Sequence, residues 1–376
     1  MINNKKIMML ATTDNMIWQF LLPHIKYLQS QGNVVECVCA KTGFWFDELK
    51  DKYNLVCHEI PFKRNPFNFS TFKQFKQLKK LQKQEQYNLI YCQQAVGGVM
   101  GILLAKKFKL PCIYTAHGFS FCKGNSGLKN FIYRSIEKYL SKYTTALITM
   151  NDYDYNEAKK FKAKKVYKIS GIGFNADKYE KPAISKEEIK KELNLKDEFV
   201  ILTVAEFIKR KNFDTMLKTI AELKNENIKF LICGRGKEEK EILNQIDVLG
   251  IKEKVNILGY RKDINNIMTA ADVFFLPSHQ EGLTLSIIEA MNFGLPVITS
   301  NVRGNQDLID DGKNGFVCEQ NDYQEFAQRI RKLMSDKTLM SKMSTSSKTK
   351  SKNYDIKNVL KELSEIYEEI ENVENK

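Results

Sequence analysis

The feature that most restricts the fold is a repeated alternation of short apolar runs with longer polar stretches of helical periodicity. One series of runs covers 7–11, 34–40, 55–60, 88–92, 111–115 and 146–150, and a second covers 199–205, 228–233, 255–258, 273–276 and 295–299. A run such as Phe199-Val200-Ile201-Leu202-Thr203-Val204-Ala205 reads as a buried strand. Strands that recur with helices between them predict doubly wound parallel sheets. A chain of 376 residues exceeds one ordinary core, so two α/β domains are expected. The charged segment 175–197, with Pro182 and a short helical stretch at 186–193, is expected to connect them. The tail 355–371 carries Val359, Leu360, Leu363, Ile366, Tyr367 and Ile370 at helical spacing, whereas 343–352, rich in Ser, Thr and Lys, reads as an exposed loop or frayed helix.

The run 271–278 ends in the turn-forming pair Pro277-Ser278, and a short loop, His279-Gln280-Glu281-Gly282, then opens a helix with Leu285, Ile288 and Met291 at helical spacing. Glu281 therefore sits at a strand's carboxyl end, with Glu289 on the helix that leaves it. In open α/β sheets that crevice is where ligands bind, and a helix N-terminus offers N–H groups to an anion. Downstream come a helix stop and strand, Phe293-Gly294-Leu295-Pro296-Val297-Ile298-Thr299-Ser300, and then Val302-Arg303-Gly304-Asn305-Gln306-Asp307-Leu308-Ile309, leading to Gly315-Phe316-Val317.

With 43% hydrophobic and 28% charged residues the chain is an ordinary globular protein. No apolar run is long enough to span a bilayer, and the N-terminus leads straight into a strand without a signal-peptide pattern, so a cytoplasmic protein is expected. Eight cysteines occur without any Cys-x-x-Cys pair, which argues against a zinc or redox motif. Asp152-Tyr153-Asp154 has the form of a metal-holding Asp-x-Asp, but its position at a helix start favours capping. No metal is expected. The net charge of +14 is concentrated in part at Lys63-Arg64 and at Lys73, Lys76, Lys79, Lys80 and Lys83, interleaved with Phe67, Phe69, Phe72, Phe75, Leu78 and Leu81. A helix from about Ser70 would place an apolar stripe against the sheet and turn the lysines to water or to an anionic membrane surface.

The segment from Glu281 to Glu289 resembles the E-x7-E signature of the retaining nucleotide-sugar glycosyltransferases of family 4, and the Gly-Leu-Pro strand and Arg-Gly-Asn turn continue that family pattern. The resemblance implies a GT-B fold, in which two Rossmann-like domains face each other across a cleft. It divides the chain into an acceptor-binding domain 1–178, a nucleotide-sugar domain 179–354 and a C-terminal helix 355–376 that returns to the first domain. It implies that Glu289 binds the ribose, that Thr284 and Leu285 direct N–H groups to the diphosphate, and that Gly282 and Leu283 line the donor. Lys211, helped by Arg210, would hold a phosphate, although Glu206 stands where relatives carry a cation. Gly234 and Gly236 would let the nucleotide approach the backbone, and Tyr260 and Arg261 would lie beside the base. Glu281 would reach the transferred sugar, and His117, in Thr115-Ala116-His117-Gly118-Phe119, would serve the donor sugar or acceptor, so these two are the catalytic candidates. Two departures concern the acceptor side: Thr12-Thr13-Asp14-Asn15 lacks the paired glycines of many relatives, and Gln93-Gln94 replaces a common histidine.

The activity implied is transfer of a hexose or N-acetylhexosamine from a nucleotide diphosphate sugar, UDP-linked, to a lipid-linked saccharide in capsule or exopolysaccharide assembly. It requires no cofactor and no nucleic acid, and it places the protein at the inner face of the cell membrane. Two rivals are a UDP-sugar epimerase on the same fold and a basic, non-enzymatic α/β protein that binds nucleic acid or membrane.

Overall fold

The computed structural model describes residues 3–63, 70–122, 124–179 and 184–374. Arg64, Phe67, Phe69 and Pro182 lie outside the described residues. The chain forms two compact units, Met1–Gly173 with Ile356–Lys376, and Phe174–Asp355.

In the first unit the strands are β1 (Lys6–Thr13), β2 (Val34–Ala40), β3 (Cys57–Glu59), β4 (Leu89–Gln93), β5 (Cys112–Thr115), β6 (Ala146–Thr149) and β7 (Lys165–Lys168). They pair in parallel in the order β3-β2-β1-β4-β5-β6-β7. β1, β4, β5 and β6 are apolar on both faces because helices cover both sides of the sheet. The helix Ile356–Glu374 belongs to this unit. Its Tyr367 hydroxyl lies 3.3 Å from that of Tyr91 on β4, and its Glu362 accepts from both the N–H and the hydroxyl of Ser170 at 2.7 Å.

The second unit contains β8 (Phe199–Val204), β9 (Ile228–Cys233), β10 (Val255–Gly259), β11 (Val273–Leu276), β12 (Val297–Ser300) and β13 (Gly315–Cys318), in the parallel order β10-β9-β8-β11-β12-β13. Its core runs from Val200, Ile201 and Leu202 through Phe230, Phe274, Phe275 and Ile298 to Phe326. Strand order reverses between β1 and β4 in the first unit and between β8 and β11 in the second. At each reversal the loops that leave the two carboxyl ends run to opposite sides and leave a crevice.

Three local expectations are corrected. Residues 186–193 do not form a connector: the helix Lys186–Glu192, opened by a Ser185/Glu188 capping box, buries Ile189 in the core of the second unit together with Leu193. Residues 343–352 are helical, as one of the two expectations had it, but are neither frayed nor wholly exposed. The helix Lys337–Ser351 runs through them and buries Met343, Ser347 and Ser351, with Ser347 Oγ donating to Asn314 O at 2.9 Å. The helix Ser70–Glu85 forms and packs Phe75, Leu78 and Leu81 on the core as expected, but it also buries Gln74 and Gln82, while Phe72 is 82% exposed. The two buried amides find carbonyl partners, Gln74 on Pro61 O at 2.6 Å and Gln82 on Tyr87 O at 3.1 Å, so two polar side chains are buried beside the apolar stripe. Among the described residues no helix is long and apolar enough to cross a membrane.

Candidate active site

At the reversal in the second unit, the loop after β8 turns through Lys209–Lys211 into Asn212, whose φ of 59° is the left-handed conformation that asparagine tolerates. Asn212 caps the helix Phe213–Glu222 by accepting from Thr215 N–H, and its amide donates to Pro277 O at 2.9 Å in the loop after β11. A second tie runs from His279 N–H to Arg210 O at 2.8 Å. Thus His279 contributes its backbone to the site, while its ring is exposed.

These ties bring together residues that are 70 positions apart. Lys211 Nζ lies 2.7 Å from Glu281 Oε1, and Arg210 Nη1 lies 2.8 Å from Glu281 Oε2 and 2.8 Å from Gln280 O. Arg303 Nε adds a 3.1 Å bond to Glu281 O. The Glu281 and Lys211 side chains are buried. Burial pushes the Glu281 carboxyl up, but the charges of Lys211 and Arg210, with the hydrogen bond from Lys211, outweigh it and hold the group below its usual range. Glu281 is therefore an ionised acceptor fixed between two cations.

Past Glu281, Thr284 opens the helix Leu285–Asn292 without a side-chain cap. Its hydroxyl instead donates to Asn305 Oδ1 at 2.8 Å, Asn305 Nδ2 to Thr299 Oγ1 at 2.7 Å, and Thr299 Oγ1 to Leu276 O at 2.7 Å. This buried chain fixes the helix start to the ends of β11 and β12 and leaves first-turn N–H groups without that cap. Gly282 and Leu283 are part-buried just ahead of it, and Glu289 is part-buried one turn beyond Leu285. Glu206 is exposed.

The glycines after β9 meet protein rather than open space. A Cβ at Gly234 (φ 150°) would lie 1.9 Å from Ala205 O, and one at Gly236 would lie 2.5 Å from Phe207 O. Close packing of the loops after β8 and β9 is thus sufficient to require both glycines. Arg235 stacks over the exposed Tyr260 ring at 4.8 Å. The Arg261 side chain is engaged through Nε and Nη2 by Asp263 at 2.8 and 2.6 Å and by Glu192 at 3.0 Å.

In the first unit His117 follows β5, part-buried, with Nε2–H donating to Gln93 Oε1 of β4 at 2.8 Å. Burial pushes its pKa down to about 3, with a smaller contribution from His24, so the ring is neutral and Nδ1 is left as acceptor. Gln94 adopts φ 63° and ψ 174°, a region close to glycine-only, at the start of the helix Ala95–Phe108. Across the reversal, the loop without glycines is held by buried Asp14, whose Oδ2 accepts from Thr42 N–H at 3.0 Å and whose Oδ1 accepts from the Thr42 hydroxyl. Asp152 and Asp154 begin the helix Asp152–Ala158. Asp154 is buried and accepts from Asn151 Nδ2 at 2.8 Å, while Asp152 pairs with Lys168.

Residues 185–350 match the family described as glycosyl transferases group 1, and residues 6–151 match the one described as glycosyl transferase 4-like. The putative glycosyltransferase EpsD of Bacillus subtilis is 30% identical over 373 residues, 96% of each chain. The chain belongs to glycosyltransferase family 4. The UDP-Gal:alpha-D-GlcNAc-diphosphoundecaprenol alpha-1,3-galactosyltransferase of Escherichia coli is 32% identical over 85% of this chain and 84% of its own. HepE of Anabaena, solved in complex with UDP, matches with a TM-score of 0.83 at 19% identity, over 97% of this chain and 100% of HepE. The glycosyltransferase thus has the GT-B fold.

Of the candidate residues in this family 4 enzyme, Lys211, Arg210 and Glu281 form one cluster, and Gly282, Leu283, Thr284, Leu285 and Glu289 continue from it along the chain. Gly234, Gly236, Tyr260 and Arg261 follow the neighbouring β9 and β10. His117 lies in the other unit. Sequence reasoning missed the Gln93–His117 bond and the anchoring role of Asp14. In the sequence Gln93 stands out only as a departure from relatives, and its adjacency to His117 follows from the pairing of Gln93 with Thr115 across β4 and β5.

Proposed function

We propose that this glycosyltransferase moves a hexose or N-acetylhexosamine from a UDP-sugar to a lipid-linked saccharide in surface polysaccharide assembly. Transfer would retain the anomeric configuration and need no metal. The observation that carries this reading is the buried Lys211–Glu281 pair, with Arg210, at the reversal between β8 and β11. The departing nucleoside diphosphate carries its charge into this crevice. A buried ammonium and first-turn N–H groups of Leu285–Asn292 stabilise that charge more strongly than solvated groups would.

Glu289 accepts from the ribose hydroxyls, and Glu281, already ionised, accepts from hydroxyls of the transferred sugar. Both Glu281 oxygens are engaged by cations, which suits an orienting acceptor rather than a covalent nucleophile. Attack then comes from the face of departure, and a phosphate oxygen takes the acceptor proton. Neutral His117, its Nε2–H fixed by Gln93, presents Nδ1 to an acceptor hydroxyl. Support for a UDP-linked donor and a lipid diphosphate acceptor comes from the name of the Escherichia coli relative, which states both for that enzyme. Such an acceptor implies peripheral contact with the cytoplasmic face of an anionic membrane.

The test is thermal stabilisation by a panel of nucleotide sugars, followed by transfer to a synthetic lipid-diphosphate saccharide with chelator present. A UDP-sugar should stabilise the protein and yield an α-linked product from an α-linked donor. Failure of every UDP-sugar to stabilise or react would overturn the reading, and a changed nucleotide sugar from donor alone would make the enzyme an epimerase.

A further inference from the structure

We propose that Tyr91 is a positioning residue for the acceptor-side chemistry: its hydroxyl, held by the helix Ile356–Glu374, fixes the Gln93 amide and through it the nitrogen on which His117 carries its proton. The chain of contacts lies wholly within the first unit, and it rests on the proposed reaction only for the use made of His117 Nδ1. Tyr91 and Gln93 are two residues apart on β4, so their side chains leave the same face of the sheet. Thr115 pairs with Gln93 across β4 and β5 and shares that face. All three are buried, and Tyr367 is buried with them. In such a place polar atoms find their partners in the protein.

A glutamine side chain keeps nearly the same shape when its carbonyl and amino ends are exchanged, so only its partners choose between the two orientations. At one end Gln93 Oε1 meets His117 Nε2 at 2.8 Å. At the other end its Nε2 donates towards Met9 Sδ at 3.8 Å and hydrogen-bonds Tyr91. The Tyr91 oxygen also accepts from the hydroxyls of Thr115 and Tyr367, each at 3.3 Å. Burial pushes the Tyr91 phenol up, and the hydrogen bonds from Thr115, Tyr367 and Gln93 act against it, the sign expected of protons directed at the phenol oxygen. A reversed amide would bring its carbonyl against that oxygen and against a sulfur that donates nothing, and would turn its N–H2 to His117. His117 Nε2 would then have to accept, and the ring proton would pass to Nδ1. Tyr91 thus decides whether His117 offers a substrate hydroxyl an acceptor or a donor. Tyr367 holds Tyr91 in turn: its ring stands edge-on to that of Tyr91, with centroids 6.2 Å apart at 85°, and stacks on Tyr27 at 6.5 Å. A residue 276 positions along the chain therefore reaches the neighbourhood of His117 through one hydroxyl. The same helix is also tied by Glu369, whose Oε2 accepts from the Tyr167 hydroxyl at 2.9 Å on β7, three strands from β4.

The experiment is nitrogen NMR of the histidine-labelled full chain, with the His117 signals assigned by their loss in His117→Gln, beside steady-state transfer assays. The native chain should show the Nε2–H tautomer of His117. Tyr91→Phe, which removes one oxygen and keeps the ring, should shift the tautomer ratio by about tenfold or more towards Nδ1–H, the value of a buried hydrogen bond. It should lower kcat by about the same factor and leave the donor KM unchanged. Tyr367→Phe should move the ratio the same way by a smaller factor, because the hydroxyls of the group orient one another. Tyr167→Phe, which loosens the same helix at β7, should leave the ratio unchanged. A folded Tyr91→Phe chain that keeps the native tautomer would overturn the proposal, as would an equal shift in Tyr167→Phe or a shifted tautomer with kcat intact. If Tyr91→Phe does not fold, Tyr367→Phe decides, and an unmoved ratio there overturns the proposal. A tautomer shift in Tyr91→Phe together with no transfer by the native chain supports the hydrogen-bond chain and counts against the proposed reaction.

Discussion

Lys211→Met keeps an aliphatic stem and deletes the ammonium that lies 2.7 Å from Glu281 Oε1, in a pair whose side chains are 10% and 6% exposed. Breaking a buried pair costs about 3–5 kcal/mol when the remaining charge is stranded. Arg210 still touches Oε2 at 2.8 Å, but it is 43% exposed and screened, so the expected loss lies near the lower end, about 3 kcal/mol. Its pH dependence follows from the direction of the Glu281 shift. In the native chain the carboxyl is held below its ordinary 4.5. Its contribution is therefore complete above that value and disappears as pH falls through the lower folded value. In the variant, burial is opposed chiefly by Arg210 and the carboxyl moves up, so the difference between the two chains is largest at neutral pH and narrows in acid. Urea unfolding over a pH series measures this, and amide exchange in Phe213–Glu222 reads the second unit by itself. Lys211→Met/Glu281→Gln, which removes the stranded charge, should be more stable than Lys211→Met alone. A loss that is the same at every pH, or a double variant no better than the single one, would refute the reasoning.

Glu289→Ala should raise the donor KM about tenfold to a hundredfold, the value of a hydrogen bond to a charged acceptor, whereas Glu281→Ala should chiefly lower kcat; full activity in steady-state assays of both would remove their assigned roles. Gly234→Ala forces a Cβ to within 1.9 Å of Ala205 O at a φ of 150° and should destabilise by about 3 kcal/mol, seen as a lower Tm without any ligand present. Gln93→Leu strands the buried Nε2–H of His117 and should cost about 1–3 kcal/mol; nitrogen NMR of the imidazole should show one neutral tautomer through the usual histidine titration range in the native chain, and a mixture in the variant.

The strands that were legible from sequence are those buried on both faces, such as Phe199–Val204 and Val273–Leu276, because burial of both sides leaves an unbroken apolar run. β7 leaves no apolar run to read because this edge strand is Lys-Val-Tyr-Lys and buries little. The burial of Lys337–Ser351 is hidden in the sequence for a related reason. The helix is held in its second half by small hydroxyl residues, Ser347 and Ser351, which pack closely yet look like loop composition. The glutamates were visible through the strand, loop and helix around them. The Lys211–Glu281 contact was not, since it depends on β8 and β11 being neighbours although β9 and β10 separate them in the chain. The resemblance implies a ligand-facing purpose for Gly234 and Gly236, whereas the three-dimensional packing against the backbone of Ala205 and Phe207 already demands them.

The first unit is built from both ends of the polypeptide, with Phe174–Asp355 interposed. During translation its sheet therefore emerges without the helix Ile356–Glu374, so Tyr91 has no Tyr367 beside it and the Ser170 N–H lacks Glu362. The interposed unit has all its strands before that helix is made. A ribosome stalled shortly before Ile356 should thus carry a nascent chain whose later half resists protease while its earlier half remains open to attack.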